Sequence, residues 1–195
     1  MRESILQASL PLFVEKGFIY TEMQDIAEAA GISVQELKTC FARTDDVFME
    51  LIRSMDHQKF DSMGEYEQQS GSSWEKIVKF LKLAEHQMEI VNENSLLPAV
   101  FEFNLVSWRT GRNLDFIQSR YDLGTNEICQ FFKKGVDSGE FEPQLPLETI
   151  VGFVGSQVNG LILAVQLIGK EKIDFKGQME ALLVALENML KPHKR

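Results

Sequence analysis

Lys38 and Thr39 lie three and four residues after Gln35 in a short segment that opens on Ser33-Val34-Gln35-Glu36. On one face of a helix they would present an amide able to bond adenine, a cation able to bond guanine or a phosphate, and a hydroxyl. The same residues also suit a solvated surface helix, so their spacing alone leaves both readings open. Glu36, three residues after Ser33, fits a capping-box acceptor better than a base reader. Other chemistry is scarce. His57, His86 and His193 stand apart from one another and from any cysteine at metal-ligand spacing. Cys40 and Cys129 are too far apart for a cluster motif, and Cys40 reads as a small apolar packing residue. There is no Gly-rich phosphate loop and no nucleophile elbow. The expectation is therefore no catalytic residue, no metal ligand and no cofactor, that is, a chain that is not an enzyme.

The elements that must hold these residues are helical, because Gly and Pro cut the sequence into helix-length pieces and no alternating β-branched run appears. The fold class expected is all-α with about nine helices. The first runs from about Ser4 to Lys16, buries Ile5, Ala8, Leu12 and Phe13 on one face, and stops at Gly17; Pro11 inside it predicts a kink. Thr21 and Gln24 have capping-box spacing before a helix that ends at Gly31, and Ser33 with Glu36 opens another running through Leu37 and Phe41. Thr44-Asp45-Asp46 starts a fourth that passes Met63. The polar stretch from Gly64 to Ser73 is the expected boundary. Beyond it, helices are expected at about Trp74–Val91, Leu96–Val106, Asn113–Ser138, Leu147–Ile168 and Phe175–Leu190. Within Gln24 to Phe41, Ile26, Ala29 and Ala30 give a narrow apolar stripe. Ala27 permits a close crossing, Gly31 takes the turn, and Ile32 and Leu37 pin the second helix. That is the grammar of a helix-turn-helix.

The chain has 195 residues, 44% hydrophobic and 25% charged, the proportions of an ordinary globular protein. No stretch approaches the ~18 uninterrupted apolar residues of a membrane span, and no apolar leader follows Met1, so a cytoplasmic protein without a membrane partner is expected. The formal net charge is -9, and residues Met1 to Met63 carry six Lys and Arg against eleven Asp and Glu. A basic footprint for coating nucleic acid is missing, which leaves room only for a small contact surface.

Over its whole length the amino-terminal segment resembles the tetracycline-repressor (TetR) family of transcriptional regulators. The matching residues are Ile5-Leu6-Gln7-Ala8, Leu12-Phe13, Lys16-Gly17-Phe18, Thr21, Asp25 through Ser33, Leu37, Phe41 and Asp46-Val47-Phe48. Gly135 through Phe141 and Val158-Asn159-Gly160-Leu161 resemble later family signatures. The chain departs from the family pattern at Lys38, Thr39 and Cys40, where aromatic residues are common, and at Thr44, where lysine is. The resemblance implies a homodimer with a helix-turn-helix DNA-binding domain, placed at 1–46, and a helical ligand-binding and dimerisation domain at 47–195 reached through the fourth helix. It implies DNA contacts from Thr21, Gln24, Ser33, Val34, Gln35, Lys38, Thr39, Arg43 and Thr44. With Lys38 and Arg43 as the only cations near phosphate, a dimer would neutralise about four phosphates and show a salt slope of about -4 or shallower.

In the larger part, abundant aromatic residues suggest a site for a small apolar or aromatic effector, with Phe101, Asn104, Trp108, Phe131 and Gln157 as candidate lining. Val154, Val158, Leu161 and Val165, with Met179, Leu182, Leu186 and Met189, form apolar stripes on the last two helices and are the expected dimer interface. The function expected is a ligand-responsive, homodimeric, DNA-binding transcriptional regulator, a repressor, with double-stranded operator DNA and the effector as partners. The alternative is a helical small-molecule-binding or protein-interaction module of the same fold with degenerate DNA binding.

Overall fold

The computed structural model describes residues 1–68, 70–90 and 95–192. Its helices are α1 (Arg2–Lys16), α2 (Met23–Ala30), α3 (Val34–Cys40), α4 (Thr44–Gln68), α5 (Ser73–Ile90), α6 (Leu97–Thr110), α7 (Leu114–Asp137), α8 (Leu147–Ile168) and α9 (Phe175–Leu190), with a 3-10 turn at Lys170–Lys172 between the last two. No strand occurs among the described residues, and the fold is all-α. Val91, the expected end of the fifth helix, and His193 lie outside the described residues.

Glycine sets two helix ends that the site depends on. Gly17 closes α1 at φ 79° and Gly31 closes α2 at φ 67°, both in the region that a Cβ disfavours. Pro11 sits within an unbroken α1, with Pro11 and Gln7 both exposed, so the carbonyl it deprives of a donor lies on the solvent side. The capping box of α2 is one residue later than expected. Asp25, not Gln24, reaches back, its Oδ2 accepting from the Glu22 N–H at 2.9 Å. Thr21 is withdrawn from the cap because its hydroxyl donates to the Gly17 carbonyl at 2.7 Å.

Two compact units result: Met1–Phe60 with Val91–Gln118, and Asp61–Ile90 with Ser119–Arg195. The polar stretch from Gly64 to Ser73 holds the break between α4, which runs to Gln68, and α5, which begins at Ser73. Packing does not divide at residue 46, because Val47, Phe48 and Ile52 of α4 are buried in one core with Phe13, Ile26 and Leu37. That core centres on stacked and tilted rings. Phe48 lies 4.7 Å from Phe13, 5.1 Å from Phe18 and 5.4 Å from Phe103 between ring centroids, and Phe116 lies 6.0 Å from Phe103. Helix α6 is latched to the amino-terminal helices by Glu102, whose Oε2 accepts the Ile19 N–H at 3.1 Å, and the start of α7 by Asn113, whose Nδ2 donates to Asp45 at 2.8 Å.

The second unit packs α5, α8, α9 and most of α7 around Ile77, Phe131, Ile150, Met179 and Leu186. Its α7–α8 linker is tied to both neighbours. Glu140 accepts from the Ser73 and Trp74 N–H groups at the start of α5, at 2.7 and 2.9 Å. Glu142 and Gln144 donate their N–H groups to the Leu190 and Met189 carbonyls at 2.9 Å, satisfying acceptors that the end of α9 leaves free.

Candidate nucleic-acid interface

Helix α3 is two turns long and is held by one fully buried side chain, Leu37. Its start is fixed locally: Ser33 Oγ accepts the Glu36 N–H at 3.2 Å, and Glu36 Oε2 accepts the Ser33 N–H at 2.8 Å. The backbone and then the hydroxyl of Ser33 hold the Glu36 carboxyl below the ordinary carboxylate range. Glu36 is thus a capping residue, as its spacing predicts. With Leu37 turned inward, Gln35, Lys38 and Thr39 are exposed together, and the Thr39 hydroxyl donates back to the Glu36 carbonyl at 2.7 Å.

The other candidate contacts divide by exposure. Gln24 and Ser33 are exposed, whereas Val34 and Thr44 are half-buried. Thr21 is 4% exposed and spends its hydroxyl inside α1's terminal turn, so its place is structural. Arg43 is exposed, but its guanidinium lies 3.9 Å from Asp45 and 3.6 Å from Asp46, and its N–H donates to Asp46 at 2.9 Å. Cys40 packs half-buried against the core, and both cysteines are free thiols.

Charge in the amino-terminal unit is largely spent internally. Lys16 lies 2.7 Å from Asp25; its hydrogen bond, followed by the Glu22 N–H, lowers the Asp25 carboxyl below its ordinary range. Arg2 and Arg53 each lie 3.4 Å from Glu50. Among the described side chains up to Phe60, Lys38 is the one Lys or Arg with no carboxylate within 4.0 Å. Sequence reasoning missed two residues here. Glu22 occupies the exposed N-cap of α2, and Arg2 reaches the end of α3. The Glu22–Asp25 spacing could have revealed the first; nothing local could have revealed the second.

The candidate effector residues do not form one constellation within a unit. Phe101 and Asn104 are half-buried on α6 and Trp108 is 72% exposed, all in the first unit. In the second unit Phe131 is buried beside Phe80 and Phe132, with ring centroids at 6.1 and 6.3 Å. Gln157 instead lines an open groove of about 180 Å³ with Phe153, Leu161, Gln178, Ala181 and Leu182. No group of three His, Cys, Asp or Glu arranged to hold a metal occurs among the described residues.

The expected dimer residues divide by burial. Val154, Leu161, Met179, Leu182 and Leu186 are covered within the single chain by the packing of α8, α9 and their neighbours, while Val158, Val165 and Met189 are half-buried. The large apolar side chains left in solvent on these helices are others: Leu167 at 75%, Val184 at 58%, Ile168 at 56%, Phe153 at 41% and Leu163 at 39% exposure. By length and composition α8 is apolar enough to cross a membrane, with mean hydropathy 1.6, yet only 22% of its 18-residue apolar window is buried inside the chain.

Comparison with known proteins places this architecture. Residues 76–176 match the family model described as "Tetracyclin repressor-like, C-terminal domain". The chain is 30% identical over 195 residues to YfiR of Bacillus subtilis (strain 168), an uncharacterized HTH-type transcriptional regulator, covering 98% of this chain and 92% of that one. Among solved structures it is similar to the regulator FadR from Bacillus subtilis in complex with stearoyl-CoA, with TM-score 0.71 and 17% identity over 95% of this chain and 97% of that one. It is also similar to a transcriptional regulator from Saccharomonospora viridis in complex with choline, with TM-score 0.73 and 20% identity over 99% and 98% of the two chains. The α2–α3 helix-turn-helix, the matched carboxy-terminal helices and the end-to-end similarity to YfiR agree, and the chain belongs to the tetracycline-repressor (TetR) family of transcriptional regulators.

Proposed function

We propose that the chain is a homodimeric, ligand-responsive repressor that binds double-stranded operator DNA through the exposed face of α3. The observation that carries this reading is the fixed display of Gln35, Lys38 and Thr39 on a helix whose start is capped and whose opposite side is buried through Leu37. Side chains so held can enter a major groove and bond base edges. Gln24, Ser33 and Thr44 flank that face as candidate backbone contacts, and Arg43 contributes less than its charge suggests because Asp45 and Asp46 hold it.

Dimerisation is supported by α8, an apolar helix of which only 22% of an 18-residue window is buried inside its own chain. A second copy seated over Phe153, Leu167, Val184 and the α8–α9 groove would remove that surface from water. For the effector, FadR's complex with stearoyl-CoA favours an apolar or acyl compound and the Saccharomonospora protein's complex with choline a small cation. The aromatic supply of this chain favours the apolar class. Such a ligand shifts the separation of two α3 helices only by its differential affinity for the two arrangements.

Selection of duplexes from a random library at low salt tests the reading. An enriched motif of two-fold symmetry is expected. If no duplex is retained, and Thr44→Lys does not restore retention, the repressor reading fails and the helical binding module of the same fold takes its place.

A further inference from the structure

We propose that Arg2 is a positioning residue for DNA recognition: it clamps the carboxy-terminal end of α3 and so sets the orientation of the base-reading face. The proposal rests on the reading of α3 as the recognition helix. Three contacts converge on this one side chain. One guanidinium nitrogen donates to the Cys40 carbonyl, the last residue of α3, at 2.8 Å. The other terminal nitrogen lies 3.4 Å from Glu50 on α4. The guanidinium carbon stands 4.2 Å from the centroid of the Phe41 ring, which is itself buried. The side chain therefore joins α1, the end of α3 and α4 at one point.

The need for such a clamp follows from the length of α3. Seven residues make two turns, with one fully buried side chain, and the final carbonyls of a helix have no partner within it. The start of α3 is pinned by Ser33 and Glu36 and its inner side by Leu37 and Phe41, which leaves the carbonyls at its far end as the part without a polar hold. Arg2 supplies that hold, and a cation at that end also favours the helix dipole. Arginine suits the task because its planar fork can donate in two directions while its face stacks on an aromatic ring; a lysine ammonium cannot make all three contacts at once. The side chain is 52% exposed, so a direct phosphate contact is the competing role, but that role needs only the charge and not the fork.

This separates two roles that would otherwise look alike in a binding assay. A phosphate contact depends on charge, so Arg2→Lys would preserve it, and Arg2→Ala would flatten the salt slope by about 0.9 per phosphate lost. A clamp depends on the fork, so Arg2→Lys should behave like Arg2→Ala and neither should change the slope. The experiment is amide hydrogen exchange of Leu37 to Phe41 on the free protein, together with affinity for the selected duplex across a salt series. Wild type, Arg2→Ala, Arg2→Lys and Glu50→Gln are compared, with circular dichroism melts to confirm folding. Both Arg2 variants should speed exchange in this segment and weaken the duplex about tenfold, the loss of one charge-assisted contact. Glu50→Gln, which removes one leg, should do less of each. Unchanged exchange, rescue by Arg2→Lys, or a flattened slope overturns the clamp. If wild type itself retains no duplex, the DNA reading falls, and exchange still decides whether Arg2 holds α3.

Discussion

Glu22 stands at the exposed start of α2, where the first helix of a helix-turn-helix passes the phosphate backbone. A carboxylate there repels phosphate, while serine would cap the helix as well without the charge. Glu22→Ser should therefore strengthen duplex binding several-fold at low ionic strength, with the gain shrinking once the Debye length falls to about 8 Å near physiological salt. Equal affinity at low salt would show that Glu22 does not face the duplex. At the other flank, Thr44→Lys places a cation on the first residue of α4 and should steepen the salt slope by about 0.9 for each phosphate gained. At this scale the sequence was legible where bonding is local. The Ser33–Glu36 box needs only four residues to be read. Thr21 and Gln24 carried the same spacing one residue early, and the competing bond from Thr21 to the Gly17 carbonyl decided the register. Arg2 could not be read at all, since its partners arrive from other helices.

Between elements, the second unit hangs on the turn after α7. Burial pushes the Glu140 carboxyl up, but hydrogen bonds from Trp74 and Ser73 outweigh it and hold the group below its ordinary range. A lowered folded value means that this stabilisation is fully present above the ordinary glutamate value of about 4.3 and is lost as pH falls through the folded value. Glu140→Gln should lower the melting temperature at neutral pH and lose that difference in acid. A deficit that persists unchanged at low pH would assign the effect to packing. Gly135 is constrained in another way, because a Cβ there would overlap the Phe141 ring, and any side chain must displace it. Helix limits were readable because Gly and Pro mark them: the expected α8 and α9 coincide with those observed. The polar run from Gly64 to Ser73 does hold the break between α4 and α5, but its first glycine is taken into α4 and only Gly71 lies in the break, at φ 124°.

For the whole molecule, apolar stripes are legible in sequence but the partner that covers each is not. Leu182 and Leu186 belong to the richest stripe, and it is the one α9 turns into its own chain. The surface left for a second copy is thinner and more mixed. Leu167→Glu with Val184→Glu should give a folded monomer by sedimentation, while Leu186→Ala should cost about 2–5 kcal/mol of stability as a buried cavity. A double mutant that stays a dimer would place the interface elsewhere. Whether α3 binds duplex DNA is decided by the salt dependence of affinity for the selected duplex. With Arg43 held by Asp45 and Asp46, Lys38 is the unpaired cation among the described side chains up to Phe60, so a dimer engages about two phosphates and the slope of log affinity against log salt should be about -2. Lys38→Ala should weaken binding and bring the slope close to zero. A slope clearly steeper than about -4, which Lys38 and Arg43 together cannot supply, or an unaltered slope in Lys38→Ala, would show that the duplex is held by a surface other than the α3 face.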